Sequence, residues 1–284
     1  MNGTSGAPAV DRRATLFVTR PERDAGTLIA ALRGLGRTVV SMPVIAIEPV
    51  ADPARLARTM AHLETYGLVV FVSPNAIRQA LAHRAAPWPS DVTIGVMGPG
   101  SVDVLRGLGI DAPRVRVVRP AALQGGGPGE RFDSEGLFVA LEETIGLKHD
   151  FAGSVLILRG NGGRAWFAER LQSLGIAVDQ VEAYRRVRPE ADAGAAEALD
   201  RLFASGDPVA FVVTSSEGVD NLLEIVERSL MKTSLVSPAR VRAWLFGCAI
   251  VAPHPRIAER ARESGFSRVS LCASGDRGIV AAIE

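Results

Sequence analysis

The second half of this 284-residue chain repeats the first in a register that runs through strand, helix, glycine and next strand, and that repeat limits the fold more than any other feature. An offset of 139 residues relates Arg20 to Arg159, Leu32 to Leu171, Leu35-Gly36 to Leu174-Gly175, Val39 to Val178 and Gly67 to Gly206. After a small shift, Ser73-Pro74-Asn75-Ala76-Ile77 faces Ser215-Ser216-Glu217-Gly218-Val219 at an offset of 142. A later shift pairs Gly98 with His254 and Gly109 with Gly265.

What is repeated is an alternation of short apolar strands with amphipathic helices, the pattern of parallel sheets covered by helices. The first series places strands at Thr15–Thr19, Leu68–Ser73, Thr93–Gly98 and Val115–Val118. The second places them at Val155–Leu158, Val178–Val187, Val209–Thr214, Ala249–Ala252 and Arg268–Leu271. Ala25, Leu28, Ile29, Leu32 and Leu35 recur at helical spacing, and Gly36 supplies the stop. Val39–Val50 is rich in β-branched residues but contains Pro43 and Pro49, which cannot donate ladder bonds, so it reads as an edge or isolated strand. Asp52-Pro53 has the form of an N-cap followed by proline at the first helical position. The glycine- and proline-rich stretch from Ala121 to Asp133 reads as a flexible surface loop.

Bulk properties narrow the partners. Lys plus Arg number 32 and Asp plus Glu 31, so nothing points to nucleic acid or an anionic membrane. The two cysteines, Cys248 and Cys272, are too few for a disulfide framework, and apolar runs such as Leu68–Val72 are far short of a membrane span. The polar stretch from Met1 to Arg13 does not read as a secretory signal, so the chain is expected in the cytoplasm.

Ligands of open parallel sheets bind beyond the carboxyl ends of the strands, where helix N-termini offer free N–H groups. Small polar residues occupy those places in both halves: Thr19-Arg20, Ser73-Pro74-Asn75, Gly98-Pro99-Gly100-Ser101, Arg159-Gly160-Asn161 and Thr214-Ser215-Ser216. Each alone reads equally well as a helix cap; as a set they suggest an anion-binding cleft. Arg20 and Arg159 either contact an anion, stay solvated, or close a salt bridge to the next helix.

Familiar catalytic signatures are missing. His62, His83, His149 and His254 lack metal-ligand spacing, and there is no P-loop or nucleophile elbow. Gly160-Asn161-Gly162-Gly163 follows a strand, but Ala165 stands at the third position of the dinucleotide fingerprint. One of only two tyrosines, Tyr184, lies on the proline-free copy of the long strand, opposite Ile45 in the repeat alignment. A strand tyrosine is commonly packing. Facing a cleft, its phenol could donate to a leaving hydroxyl.

Several motifs, in order, resemble uroporphyrinogen-III synthases: Val18-Thr19-Arg20-Pro21, Phe71-Val72-Ser73-Pro74-Asn75-Ala76, Ser134-Glu135-Gly136-Leu137, Leu156-Ile157-Leu158-Arg159-Gly160, Ala183-Tyr184-Arg185 and Thr214-Ser215-Ser216. His254-Pro255-Arg256-Ile257-Ala258 resembles a variant found in part of that family, and the likeness runs from about Leu16 to Ile283. It implies two flavodoxin-like α/β domains joined by a two-stranded β-ladder, with the active site between them. One domain would comprise 1–39 and 189–284, the other 50–177, with crossing strands over 40–49 and 178–188.

The implied reaction closes hydroxymethylbilane, a linear tetrapyrrole with eight carboxylates, to uroporphyrinogen III with ring D inverted. Loss of the hydroxyl gives an azafulvene, ring D is attacked at its substituted carbon, and a spiro intermediate rearranges. Tyr184 matches the family's tyrosine thought to assist hydroxyl departure, as a hydrogen-bond donor rather than a full proton donor, since a free phenol titrates near ~10. The implied substrate-binding residues are Arg20, Ser73, Asn75, Gly98, Ser101, Arg159, Gly160, Thr214, Ser215, Ser216, His254 and Arg256. Ser101-Val102 and Ile257-Ala258 stand where the family often has Thr-Ala, so one hydroxyl contact is missing, with His254 and Arg256 the neighbouring polar residues in the sequence. Neither metal nor cofactor is implied. The expected protein is a monomer that takes its substrate from the enzyme making hydroxymethylbilane. A two-domain ligand-binding sensor without turnover and a nucleotide-binding α/β enzyme are the competing readings.

Overall fold

The computed structural model describes residues 10–111, 113–120, 133–233 and 236–284, so residues 121–132 of the expected surface loop lie outside the described residues. The chain forms two compact units, one from residues 10–46 with Val187–Glu284 and one from Ile47–Arg186. Among the described residues no helix is long and apolar enough to cross a membrane.

The strands in chain order are β1 (Thr15–Val18), β2 (Val39–Ser41), β3 (Ala46–Glu48), β4 (Leu68–Phe71), β5 (Thr93–Val96), β6 (Val117–Val118), β7 (Val155–Gly160), β8 (Val178–Val187), β9 (Val209–Val212), β10 (Ala249–Ala252) and β11 (Arg268–Leu271). The helices are α1 (Glu22–Gly34), α2 (Pro53–Ala61), α3 (Pro74–Leu81), α4 (Pro99–Gly107), α5 (Ser134–Ile145), α6 (Trp166–Gln172), α7 (Ala193–Ser205), α8 (Ser216–Thr233), α9 (Pro238–Gly247), α10 (Pro255–Glu263) and α11 (Gly275–Ile283). One sheet has the order β11-β10-β9-β1-β2, the other β3-β8-β7-β4-β5-β6. Their pairings are parallel from β11 to β2 and from β8 to β6.

The repeat is visible in the ladders themselves. Leu16 pairs with Val39 in one sheet and Val155 with Val178 in the other, both members displaced by the offset seen in the sequence. Leu16 opposite Ala210 likewise matches Val155 opposite Leu68, and Ala210 opposite Ala249 matches Leu68 opposite Thr93.

Burial on both faces explains why the central strands are unbroken apolar runs. β1, β4, β5, β9 and β10 are buried at every residue. Val69, Phe71, Ile94, Val96, Leu156 and Leu158 pack one face of the second sheet on α2 and α3, through Leu56, Met60, Ile77 and Ala80. Leu68, Val70, Val155 and Ile157 face Leu137, Leu141, Phe167 and Leu171 of α5 and α6. Fully buried Phe17, Phe71 and Phe211 contribute about 2–3 kcal/mol each. Caps start the helices: Asp52 accepts from the Ala54 N–H and Asp192 from the Ala195 N–H.

Two expectations need correcting. The segment 40–49 is not one crossing strand, since β2 belongs to the first sheet and β3 to the second. The Met42 and Val44 N–H groups still donate to Val18 and Thr19 carbonyls, but Pro43 between them has no N–H, and the regular ladder ends at Ser41. Leu35, placed on the buried stripe of the first helix, is 40% exposed, because α1 ends at Gly34 and Gly36, at φ 74°, turns the chain away.

Candidate active site

Tyr184 sits near the end of β8, and a local irregularity aims it. Along β8, Val181 is buried and Glu182 exposed, as alternation requires, but Ala183 and Tyr184 are both buried. The cause is a register shift against β7: Arg159 opposes Glu182, whereas Gly160 opposes Tyr184, leaving Ala183 as an extra residue. Such a bulge turns the following side chain to the face it would otherwise miss. Without it Tyr184 would share the exposed face of Glu182.

Gly160 leaves the room that the ring takes. A Cβ at Gly160 would stand 2.7 Å from Tyr184 Cζ, so no side chain fits there unless the ring moves. The ring is 5% exposed and belongs to the α2/α3 core, with its hydroxyl 3.1 Å from Ser73 Oγ at the carboxyl end of β4. Ser73 is also the N-cap of α3, its Oγ accepting from the Ala76 N–H at 3.2 Å.

The glycine run after β7 serves this same tyrosine. Asn161 donates its backbone N–H to the Tyr184 carbonyl, while its side chain accepts from the Arg186 N–H at 2.5 Å and donates to the Arg186 carbonyl at 3.3 Å. The amide thus extends the ladder beyond the last residue of β7. Gly162 and Gly163 follow at φ 86° and 105°, conformations that favour glycine. The Arg159 guanidinium closes the turn by donating to the carbonyls of Gly160, Gly162 and Gly163, and to Gln180 Oε1 at 2.8 Å. The incomplete dinucleotide fingerprint is therefore a holder for β8. The sequence offered Asn161 only as one of the polar residues of an anion-binding edge; the structure turns its side chain onto the Arg186 backbone instead.

Two cavities adjoin this turn. One of about 610 Å³ is lined by Asp52, Arg55, Arg159, Glu182 and Arg185 among others. The other, about 270 Å³, has an apolar floor of Val72, Met97, Ile157 and Phe167, with Ser134 and Arg164 at its rim. Of the remaining residues expected here, Asn75 accepts from Arg78 Nη1 at 3.3 Å, Gly98 caps α4, and Ser101 is only 3% exposed. Elsewhere in this unit, burial and the neighbouring Asp179 carboxylate push the Tyr66 phenol up to about 12.

The carboxyl edge of the first sheet is built differently. Arg20 forms a 2.5 Å ion pair with Asp276 at the start of α11, a carboxylate that the sequence pattern did not suggest. Ser215 Oγ accepts from the Gly218 N–H at 3.0 Å, while Thr214 and Ser216 flank it where β9 gives way to α8. Asn221 on α8, 9% exposed, donates to the Val44 carbonyl at 2.9 Å and fixes the backbone beside Ile45. His254 caps α10, its Nδ1 accepting from the Arg256 N–H at 3.2 Å. Both side chains are exposed there, and Ile257 is buried beneath them. Among the described residues no three His, Cys, Asp or Glu side chains gather as metal ligands.

The family model described as uroporphyrinogen-III synthase HemD matches residues 26–274. The chain is 27% identical over 268 residues to the uroporphyrinogen-III synthase of Salmonella typhimurium and 26% identical over 268 residues to that of Escherichia coli. Both alignments cover 92% of this chain and 96% of the relative. A selenomethionine mutant form of Thermus thermophilus uroporphyrinogen III synthase superposes with a TM-score of 0.54 at 16% identity, covering 95% of this chain and 96% of that one. The Helicobacter pylori uroporphyrinogen-III synthetase gives 0.50 at 13% identity, covering 90% and 92%. At those identities the solved structures speak for the fold.

Proposed function

The chain belongs to the uroporphyrinogen-III synthase family, and from that membership we propose that Tyr184 acts on the departing hydroxyl while the polar loops at the carboxyl strand ends hold carboxylates. The protein is an enzyme of porphyrin biosynthesis and a lyase, converting hydroxymethylbilane to uroporphyrinogen III and water. A non-catalytic sensor draws no support from its relatives.

The observation that carries the Tyr184 reading is its hydroxyl at 3.1 Å from Ser73 Oγ, on a ring that Gly160, Asn161 and the bulge at Ala183 hold in one place. In the first step the C–O bond of the hydroxymethyl group breaks and its electron pair leaves on oxygen. The adjacent pyrrole nitrogen supplies electrons for the new double bond and gives up its N–H proton, so the oxygen departs as water. A phenol hydrogen bond strengthens as charge builds on that oxygen, which lowers the barrier without a strong acid. Later steps depend on folding the chain so that ring D meets the new electrophile at its substituted carbon, and positioning is what a rigid frame supplies.

For the eight carboxylates, the helix N-termini that begin at Ser73, Gly98, Ser215 and His254 offer N–H groups. Around them Arg20, Asn75, Ser101, Arg159, Gly160, Thr214, Ser216 and Arg256 complete the proposed substrate-binding set. Arg20 and Arg159 contribute charge from their fastened positions, and His254 or Arg256 covers for the hydroxyl missing at Ile257. The reading extends to a cytoplasmic monomer, a compartment that suits the unpaired Cys248 and Cys272. Direct receipt of hydroxymethylbilane from the enzyme that makes it suits a substrate that closes unaided to the type I isomer. Freshly made hydroxymethylbilane provides the test: chromatography shows the type III isomer with the protein and type I without it. Type I alone in both samples refutes the assignment.

A further inference from the structure

Ser73 meets both a helix terminus and the phenol, and the order of those contacts has a direction. We propose that Ser73 is a positioning residue acting through Tyr184: it donates its hydroxyl hydrogen to the phenol oxygen and thereby leaves the phenol hydrogen for the substrate. This rests on the reading of Tyr184 given above.

At 3.1 Å either oxygen can be the donor. The cap decides between them. Ser73 Oγ already accepts the Ala76 N–H at 3.2 Å, and a hydroxyl that accepts a hydrogen bond becomes a better donor. The positive end of α3 acts in the same sense, withdrawing electron density from Oγ. A phenol oxygen that accepts from Ser73 is in turn a better donor. The chain of bonds then runs one way, from the Ala76 N–H through Ser73 and Tyr184 to the departing oxygen. Negative charge that develops on the phenol oxygen as it gives up part of its proton is met by the Ser73 hydroxyl and the helix end.

The surroundings hold both oxygens still. Ser73 has extended backbone at φ −161°, ψ 161°, fixed by its cap. Tyr184 cannot swing away while its ring fills the space over Gly160 and Asn161 clamps the strand beyond it. Ser215, the repeat partner of Ser73, makes the same cap to the Gly218 N–H, yet the residue aligned with Tyr184 is Ile45. Capping therefore explains a serine in both halves, and the phenol contact is an added role in one.

The test measures kcat and KM with fresh hydroxymethylbilane, and resolves the product isomers, for wild type, Ser73→Ala, Ser73→Thr, Tyr184→Phe and the Ser73→Ala/Tyr184→Phe double variant. We expect Ser73→Ala to lower kcat about tenfold with KM within about twofold, the loss of one hydrogen bond in the transition state. Threonine, which keeps the hydroxyl, restores most of it. In the Tyr184→Phe background, Ser73→Ala produces no further fall in kcat, because its effect passes through the phenol. Asp192→Ala removes a comparable cap from α7, so its kcat at wild-type level shows that cap loss alone is not the cause. Three results overturn the proposal: a raised KM at constant kcat, an undiminished Ser73→Ala effect in the Tyr184→Phe background, or no rescue by threonine. Tyr184→Phe at the wild-type rate instead refutes the role of Tyr184, and wild type yielding only type I refutes the enzyme assignment itself.

Discussion

The carboxyl edges of β4, β7 and β8 in one unit and of β9, β1 and β2 in the other share one strand plan and one pairing register, but the third strand of each has a different fate. β2 stops after three residues, before Pro43. β8, with no proline in its path, runs for ten residues through a bulge and carries Tyr184 to the edge. Where β8 delivers a phenol, the other copy has the buried Ile45, with Asn221 tying down the neighbouring Val44 carbonyl. The arginines diverge too: Arg20 is neutralised by Asp276, whereas Arg159 is held by neutral carbonyls and an amide. The repeat supplies the frame, and a few residues in one copy place a buried phenol at its carboxyl edge, where the proposed function puts the departing hydroxyl.

Breaking that difference at its source should have the largest effect. In Gly160→Ala the new Cβ lies 2.7 Å from the Tyr184 ring, so the ring or the strand must shift. The expected cost is ~1–3 kcal/mol of stability from overpacking. Activity should fall about 100-fold, since a displacement near 1 Å at a reacting group is worth that much. Adding Tyr184→Ala should return part of the stability and none of the activity. Denaturant unfolding and turnover on the same preparations check both, and Gly160→Ala at full activity would mean the phenol tolerates movement.

Much of the fold was readable from pattern alone. The range of β10 follows from an apolar run, those of β8 and β11 from strand-forming residues spaced between turn and helix signals, and the Asp52-Pro53 cap from local chemistry. Tyr184 stood out because it breaks the repeat. What it touches was not readable: the bulge depends on register with β7, and Ser73 lies 111 residues earlier. Asn161 was readable as a polar residue at a strand end, but its hold on the Arg186 backbone was not. The partner of Arg20 was out of reach for the same reason, since Asp276 is 256 residues away in sequence. Local spacing reports on helices, strands and caps; contacts made by closing a sheet need the sheet.

The two capping serines sharpen the comparison at the next level. Ser73→Ala and Ser215→Ala should each cost about 1 kcal/mol in stability through the lost cap. Their kinetics should differ in kind. Ser73→Ala acts chiefly on kcat, while Ser215→Ala, with no phenol behind it, leaves kcat unchanged and shows only the KM rise of about twofold that a weakened carboxylate contact gives at either edge. Equal kcat losses at both would show that the two edges act alike.

A smaller effect is expected where the arginines differ. The Arg20–Asp276 pair is part-exposed, with side chains 17% and 34% accessible, so Asp276→Asn should cost less than about 1 kcal/mol. It should also unmask the positive charge of Arg20 and lower KM by about twofold at low salt, an advantage that fades as ionic strength screens it. An unchanged KM would place Arg20 away from substrate carboxylates.

The smallest effect concerns pH, and it falls on one unit because both tyrosines lie within Ile47–Arg186. The Tyr66 phenol donates to Asp179 at 2.7 Å, and burial together with that carboxylate raises it from an ordinary 10.0 to about 12. A group with a raised native pKa contributes stability that is fully present below its unfolded pKa and is lost as pH climbs through the native one. The loss should therefore develop between about pH 10 and 12, and Tyr66→Phe should flatten stability across that window. Difference absorbance of wild type against Tyr66→Phe isolates the phenol. In Asp179→Asn its midpoint should fall only part of the way back, because burial, the larger cause, remains. The other unit answers to a different probe, the buried Cys248 thiol, which burial also pushes up to about 12. If alkaline loss of structure opened Cys248 to labelling in step with Tyr66 ionisation, the two units would be unfolding as one. Labelling that lags behind the phenol would show that they open separately, with the tyrosine-bearing copy the first to yield.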